Sequence, residues 1–220
     1  VRIMIHACPV RMWYVNGYII PELKSQGADD ITVWQDDAGR GNLTACMDAF
    51  KNCEGDGGTW HLQDDILLSR DFVERASQMC GEKIVCGFVN EVAGPNCNIR
   101  GEAYMADMWY SFPCIYIPNQ YARECAEWFF SGRWKADAQS IADTLYAGGS
   151  GDDFFFREFM ETHHGGDTVL NLTPCLVDHV DWLVGGSTVN RYRGFLSRAV
   201  YWEDDSLLDE LKKRIDALRR

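Results

Sequence analysis

Along the first ninety residues the apolar positions switch repeatedly between a strand-like and a helix-like spacing. The opening run VRIMIH predicts a strand from Arg2 to His6, followed by a turn at Pro9 and a helical stretch from about Met12 to Lys24. Ile31 to Gln35 is a second predicted strand. After a turn at Gly39–Gly41, Leu43, Cys46, Met47 and Phe50 recur at i, i+3, i+4 and i+7, one face of a helix. Thr59 to Leu62 makes a short third strand that runs into Gln63-Asp64-Asp65. A helix is expected next, with Ser69 as its N-cap, Asp71 in its first turn, and Phe72, Val73, Ala76, Met79 and Cys80 turned inward. Lys83 to Val89 is almost continuously apolar, the pattern of a strand buried on both faces.

The second half has a looser rhythm. Gly94 to Arg100 is loop-like, and Cys114 to Ile117 is a strand closed by Pro118 and a helix through Trp128. Asp137 to Tyr146 and Asp153 to Glu161 are helical, separated by the break Gly148–Gly151, and Val169 to Leu172 is strand-like. The last element is an amphipathic helix capped by Ser206, with Leu207, Leu208, Leu211, Ile215 and Leu218 as its stripe. Arg219 and Arg220 suit its C-terminal dipole. Three βα units in the first ninety residues predict an α/β fold: an open, mostly parallel twisted sheet with helices on both faces. No linker or repeat divides the chain, so residues 1–220 are expected to form a single domain. In such sheets ligands bind beyond the carboxyl ends of the strands.

Composition narrows the classes. Hydrophobic residues make up 46% of the chain and aromatics 13%, enough apolar surface to exclude a disordered chain. No apolar run approaches about 18 residues, which excludes a membrane-spanning helix. A net charge of -12 repels polyanions and argues against a general nucleic-acid coat. The nine cysteines are odd in number and include no C-x-x-C pair. Cys46, Cys86 and Cys114 sit among apolar neighbours, as small core residues do. With no signal-peptide pattern at the start, these cysteines predict a reducing, cytoplasmic compartment.

The candidate chemistry is acidic. Asp64 and Asp65 follow a hydrophobic strand, where adjacent carboxylates raise each other's pKa unless a cation neutralises them. Oxygen ligands suit Mg2+ or Mn2+, with a diphosphate filling the open positions; the bland alternative is a pair of helix-capping residues. A second pair, Asp36-Asp37, precedes Gly39-Arg40-Gly41-Asn42, and a third, Asp152-Asp153, follows Gly148-Gly149-Ser150-Gly151 and opens a helix. A carboxylate there is either a general base at the cleft or an N-cap. His179, Ser187, Thr188, Arg191, Arg193 and Arg198 complete the candidates; arginines after a Gly-Gly pair suit a lid that clamps an anion. His163 and His164, at a helix end, are expected to be structural.

Together these positions resemble the GT-A-fold, metal-dependent nucleotide-sugar glycosyltransferases over nearly the whole chain. HLQDDI is similar to the LQLEDDI segment of branch-forming N-acetylglucosaminyltransferases, and PCLVDHV followed by GGSTVN is similar to a segment that several GT-A families carry near their C-terminus. The resemblance implies a GT-A-like sheet with a nucleotide-binding half over about 1–90, an acceptor half and lid over about 91–200, and a closing helix at 204–220. It implies Asp65, His179 and Asp64 as metal ligands for Mn2+ or Mg2+, and Asp153 or Asp152 as the base. Asp36, Asp37, Arg40, Asn42, Gln63, Asp64, Ser187, Arg191 and Arg193 would then bind a UDP-sugar. Gln63 departs from the D-x-D pattern, leaving Asp64 to contact ribose or phosphate while Asp65 takes the metal. The short chain most resembles bacteriophage-type enzymes, including TET-associated glycosyltransferases that act on hydroxymethylpyrimidines in DNA, which would place it in a host cytoplasm. The acceptor is then a modified DNA base, a glycan or a protein hydroxyl. Two rivals remain: a metal-dependent phosphoester or nucleotide hydrolase, and a non-catalytic carbohydrate-binding domain.

Overall fold

Strand β1 (Arg2–Ala7) is apolar on both sides and takes the centre of one half of the sheet, with β2 (Asp30–Gln35) and β3 (Gly58–Gln63) parallel on either side of it. This is a computed structural model, and it describes residues 1–81, 83–89, 104–106, 112–137, 151–165, 169–185, 199, 202 and 204–219. The chain leaves β1 through helical stretch α1 (residues 9–25), which opens with a 3-10 turn at Pro9–Arg11 and passes a π-helical turn at Val15–Ile19. It returns as β2, then crosses to the other side of β1 through α2 (Asn42–Lys51). That reversal opens a crevice above the carboxyl ends of β1 and β3.

The remaining elements are β4 (Ile66–Leu68), α3 (Phe72–Gln78), β5 (Val85–Cys86), β6 (Tyr104–Ala106), β7 (Cys114–Pro118), α4 (Asn119–Ser131), α5 (Trp134–Asp137), α6 (Asp152–His164), β8 (Val169–Asn171), β9 (Val177–His179), α7 (Asp181–Val184) and α8 (Asp205–Leu218). Among the described residues the main sheet has seven strands, in the order β2-β1-β3-β7-β5-β8-β6. β7 and β6 run against the other five, so the sheet is mixed but mostly parallel in direction. Helices cover both faces, as the βα alternation predicts. Ile3 and Ile5 pack with α1 and with Leu207, Leu208, Leu211 and Ile215 of α8. Met4, on the opposite face, joins Met47 and Phe50 of α2, Trp128 of α4 and Phe155, Phe156 and Phe159 of α6. Each face alternates with the two-residue period of a strand.

Several local expectations are corrected. Ser69 does not cap α3: Asp71 holds the N-cap position, and the Ser69 hydroxyl is buried without a hydrogen-bond partner. Cys80 lies beyond the end of α3 and is exposed. Asp204, not Ser206, caps α8, its carboxylate accepting the Ser206 N–H at 3.0 Å. Leu218 is part of the stripe only at its frayed end, 40% exposed. Arg219 does stand at the end of α8, where its guanidinium lies over the Trp13 ring, 5.1 Å from its centroid, and donates to the Leu183 carbonyl. From 138 to 146 the helix expected over 137–146 lies outside the described residues. Lys83–Val89 pairs as a regular strand only at Val85–Cys86, yet 84–89 is buried throughout, with Val85 and Phe88 on one core and Ile84 and Cys86 on the other.

The sequence gives no sign of a second, two-stranded sheet. β4 and β9 pair antiparallel, with Ile66 opposite His179 and Leu68 opposite Val177. The Val180 N–H donates to the Asp65 carbonyl at 2.8 Å, which extends the pairing to the end of β3. This small sheet brings residue 179 back to residue 65.

Candidate active site

A cleft of about 500 Å³ lies at the carboxyl ends of β1, β2 and β3. Its walls carry Asp36, Asp64, Asp65, Asp152, Asp153 and His179, joined by Asn42 and Gln63. Eight of the residues singled out from the sequence therefore converge, from segments separated by more than a hundred positions. Asp37 and Arg40 are exposed outside this lining: Asp37 accepts from the Gln35 side chain, and Arg40 pairs with Asp36 at 3.3 Å and Asp48 at 3.0 Å. Ser187, Arg191 and Arg193, with Thr188, Arg198 and the lid they would form, lie outside the described residues.

The local backbone explains how these side chains arrive. Gly41 adopts φ 92, a left-handed conformation that glycine takes at little cost, and caps α2 so that Asn42 opens the helix at the cleft. The Asp36 carboxylate accepts the Gly41 N–H at 3.2 Å and fixes that turn. Gly151 at φ 26 plays the same part before α6, and Phe155, Phe156 and Phe159 anchor that helix in the core. Asp152 and Asp153 thereby project from a rigid element.

The acidic pair has a partner that the sequence reading missed. Nη1 of Arg11 lies 2.6 Å from Asp64 Oδ1 and 2.6 Å from Asp65 Oδ2. The Cys8 N–H donates to Asp64 Oδ2 at 2.7 Å, so one turn after β1 grips Asp64 twice. All three side chains are buried, and Nε2 of His179 stands 3.4 Å from Asp65 Oδ2. Burial pushes the Asp64 carboxyl upward, and neighbouring Asp65 adds to the effect. Burial acts on Asp65 in the same sense, but His179 and Arg11 outweigh it and hold that carboxyl below its ordinary range. Arg11 looks in the sequence like any basic residue in a first helical turn. The available signal was electrostatic: carboxylates this close at a buried strand end need a cation from somewhere.

At the opposite wall, burial raises the Asp152 carboxyl to about 7, with Asp153 as the next contributor. Asp153 is also raised by burial; its Oδ1 accepts the Phe154 N–H at 2.9 Å. His6 lines the same cleft, and its Nε2 is 2.8 Å from Nδ1 of the buried His61. Burial lowers His6 to about 4 and drives His61 down as well, so both imidazoles are neutral. His163 and His164 pack on Trp128, Tyr121 and Phe159.

The fit of a divalent ion turns on two atoms. Asp65 Oδ1 and His179 Nδ1 are buried and have no hydrogen-bond partner, although their side chains adjoin. A carboxylate oxygen with an imidazole nitrogen suits Mn2+ or Mg2+ when phosphate and water complete the shell. No group of three His, Cys, Asp or Glu side chains is arranged as a metal cage among the described residues. The protein thus offers part of a coordination shell rather than a closed one. Trp34 Nε1, also at the cleft, is a further buried donor without a partner.

Family models give no match to this chain, and comparison with curated proteins finds no similar sequence. No helix among the described residues is long and apolar enough to cross a membrane.

Proposed function

We propose that the chain is a divalent-metal-dependent glycosyltransferase of GT-A type that moves a sugar from a UDP-sugar to an acceptor hydroxyl. The observation that carries this reading is the convergence of five aspartates and His179 on one cleft at the sheet's switch point, where Asp65 Oδ1 and His179 Nδ1 are each buried without a partner. An acidic cleft repels a diphosphate unless cations intervene. Asp65 and His179 would hold the ion, which when bound neutralises the diphosphate leaving group.

The chain's own residues supply the rest. Trp34 and Asp36, at the end of β2, offer an indole donor and a carboxylate to the nucleoside. Gln63 and Asn42 are neutral and polar, suited to sugar or ribose hydroxyls. Asp152 is assigned as the base, because burial raises its carboxyl to about 7, within the working range. In the transfer step the acceptor oxygen bonds to the anomeric carbon as the carbon–diphosphate oxygen bond breaks. The hydroxyl proton passes to Asp152, and UDP leaves. A two-metal hydrolase would need a denser set of ligands than the described residues assemble.

The test is UDP release from a panel of UDP-sugars in the presence of Mn2+, comparing the parent with Asp152→Asn. Metal-dependent release that falls about 10²–10⁴-fold in the variant supports the reading. Release of inorganic phosphate from simple phosphoesters, with no sugar transfer, would replace it with the hydrolase.

A further inference from the structure

The acidic pair already has a cation, and it belongs to the chain. We propose that Arg11 is the resident counter-cation of Asp64 and Asp65, so that a divalent ion enters this cleft only together with an anionic ligand. The proposal rests on the reading above and adds an order of binding to it.

The hydrogen-bond inventory of the four carboxylate oxygens carries the argument. Asp64 Oδ1 accepts from Arg11 at 2.6 Å and Asp64 Oδ2 from the Cys8 N–H at 2.7 Å. Asp65 Oδ2 accepts from Arg11 at 2.6 Å and faces His179 Nε2 at 3.4 Å. Only Asp65 Oδ1 is left without a partner. Mg2+ or Mn2+ requires about six ligands in near-octahedral geometry. An ion without an anion would therefore take most of its shell from water and little from the protein, and it would meet a guanidinium charge buried at 5% side-chain exposure, where water screens little.

The same turn fixes the arginine. Residues Pro9–Arg11 form a 3-10 turn closed by the Arg11 N–H on the Cys8 carbonyl at 3.0 Å, and Cys8 itself donates to Asp64. The guanidinium is held by backbone geometry as well as by charge. A diphosphate changes both terms at once. It supplies oxygens for the missing positions and negative charge that Arg11, itself part of the cleft lining, can meet by charge-assisted hydrogen bonds. The coupling is reciprocal: an anion that raises metal affinity has its own affinity raised by the metal.

Electron paramagnetic resonance of free Mn2+ tests this without any turnover, using the parent chain, Arg11→Gln and Arg11→Lys, each with and without UDP, and circular dichroism to confirm folding. The parent should bind Mn2+ weakly alone and at least about tenfold more tightly with UDP. Arg11→Gln keeps a shorter, neutral amide donor and loses the charge; it should bind Mn2+ alone about tenfold better than the parent, and UDP should add less. Arg11→Lys keeps the charge and should behave as the parent does. If Arg11→Gln does not fold, the parent and Arg11→Lys still decide, because tight Mn2+ binding by either without UDP overturns the proposal. So does an Arg11→Gln chain that binds the bare ion no better than the parent. If Mn2+ binds to none of the three even with UDP, the failure lies with the metal-dependent reading itself.

Discussion

Nε2 of His179 stands 3.4 Å from Oδ2 of Asp65, although 113 intervening residues separate them in sequence. The contact exists because β9 pairs with β4 in a register that sets His179 opposite Ile66. With Asp152 and Asp153, His179 is therefore one of the residues that the second half of the chain brings to the cleft at the end of β3.

Replacing it should separate binding from folding. His179→Ala removes one partner of Asp65 but leaves Arg11 on both carboxylates and the β4–β9 pairing through backbone atoms. The Mn2+-dependent part of any UDP-induced rise in Tm should vanish, while the Tm of the free chain moves by only a few degrees. UDP at 100 times its Kd adds about 2.7 kcal/mol in the parent, so the loss is easily read. An unchanged metal-dependent shift would remove His179 from the site.

Asp152 gives a pH signature. Its folded carboxyl titrates near 7 against an ordinary value of 3.8, so between these values the folded chain retains a proton that the unfolded chain releases. Stability from this group therefore falls as pH rises from about 4 to about 7. Asp152→Asn abolishes the charge, and its advantage over the parent should grow through that window and level off above it. The plateau is on the order of 2–4 kcal/mol. Chemical denaturation at a series of pH values measures it, and a variant less stable than the parent at pH 8 would contradict the assignment.

The imidazole pair works in the opposite sense. His6 is held near 4 by burial, so as pH falls from 6.5 toward 4 the unfolded chain takes up a proton that the folded chain refuses. Stability should be lost through that window, by on the order of 2–3 kcal/mol for His6. In an Asp152→Asn background, where the opposing carboxylate is absent, His6→Gln should flatten the acid limb of the stability profile. Identical acid limbs in the two chains would show that the pair does not control it.

Removing Arg11 without replacing its volume is expected to be costly. Arg11→Ala leaves Asp64 and Asp65 buried with no guanidinium between them, a change worth about 3–5 kcal/mol. Urea titration should show the midpoint falling, and a divalent ion with UDP should restore part of the loss. A midpoint equal to the parent's would mean that the carboxylates find another neutralising partner.

Much of this architecture is legible in the sequence because local patterns and tertiary burial agree. Cys46, Met47 and Phe50 repeat on one face of α2 and are buried there; Ile3 and Ile5 alternate with Met4 across β1. The acidic pairs were legible as well, since Asp36, Asp64 and Asp152 each follow a strand or a glycine turn. What escaped depends on partners distant in sequence. The β4–β9 sheet has strands of only three residues, too short for periodicity to register. Both helix caps shifted by two positions because Asp204 and Asp71 compete for the caps with the nearby serines. Arg11 escaped because nothing local marks an arginine whose partners lie more than fifty residues away.

The most direct measurement is an anomalous difference map from crystals grown with UDP and Mn2+, recorded at the manganese absorption edge. The account expects one strong peak between Asp65, His179 and the diphosphate, with the uridine against Trp34 and Asp36. A map with UDP bound in the cleft but no manganese beside Asp65 and His179, and with Arg11 alone facing the phosphates, would contradict it.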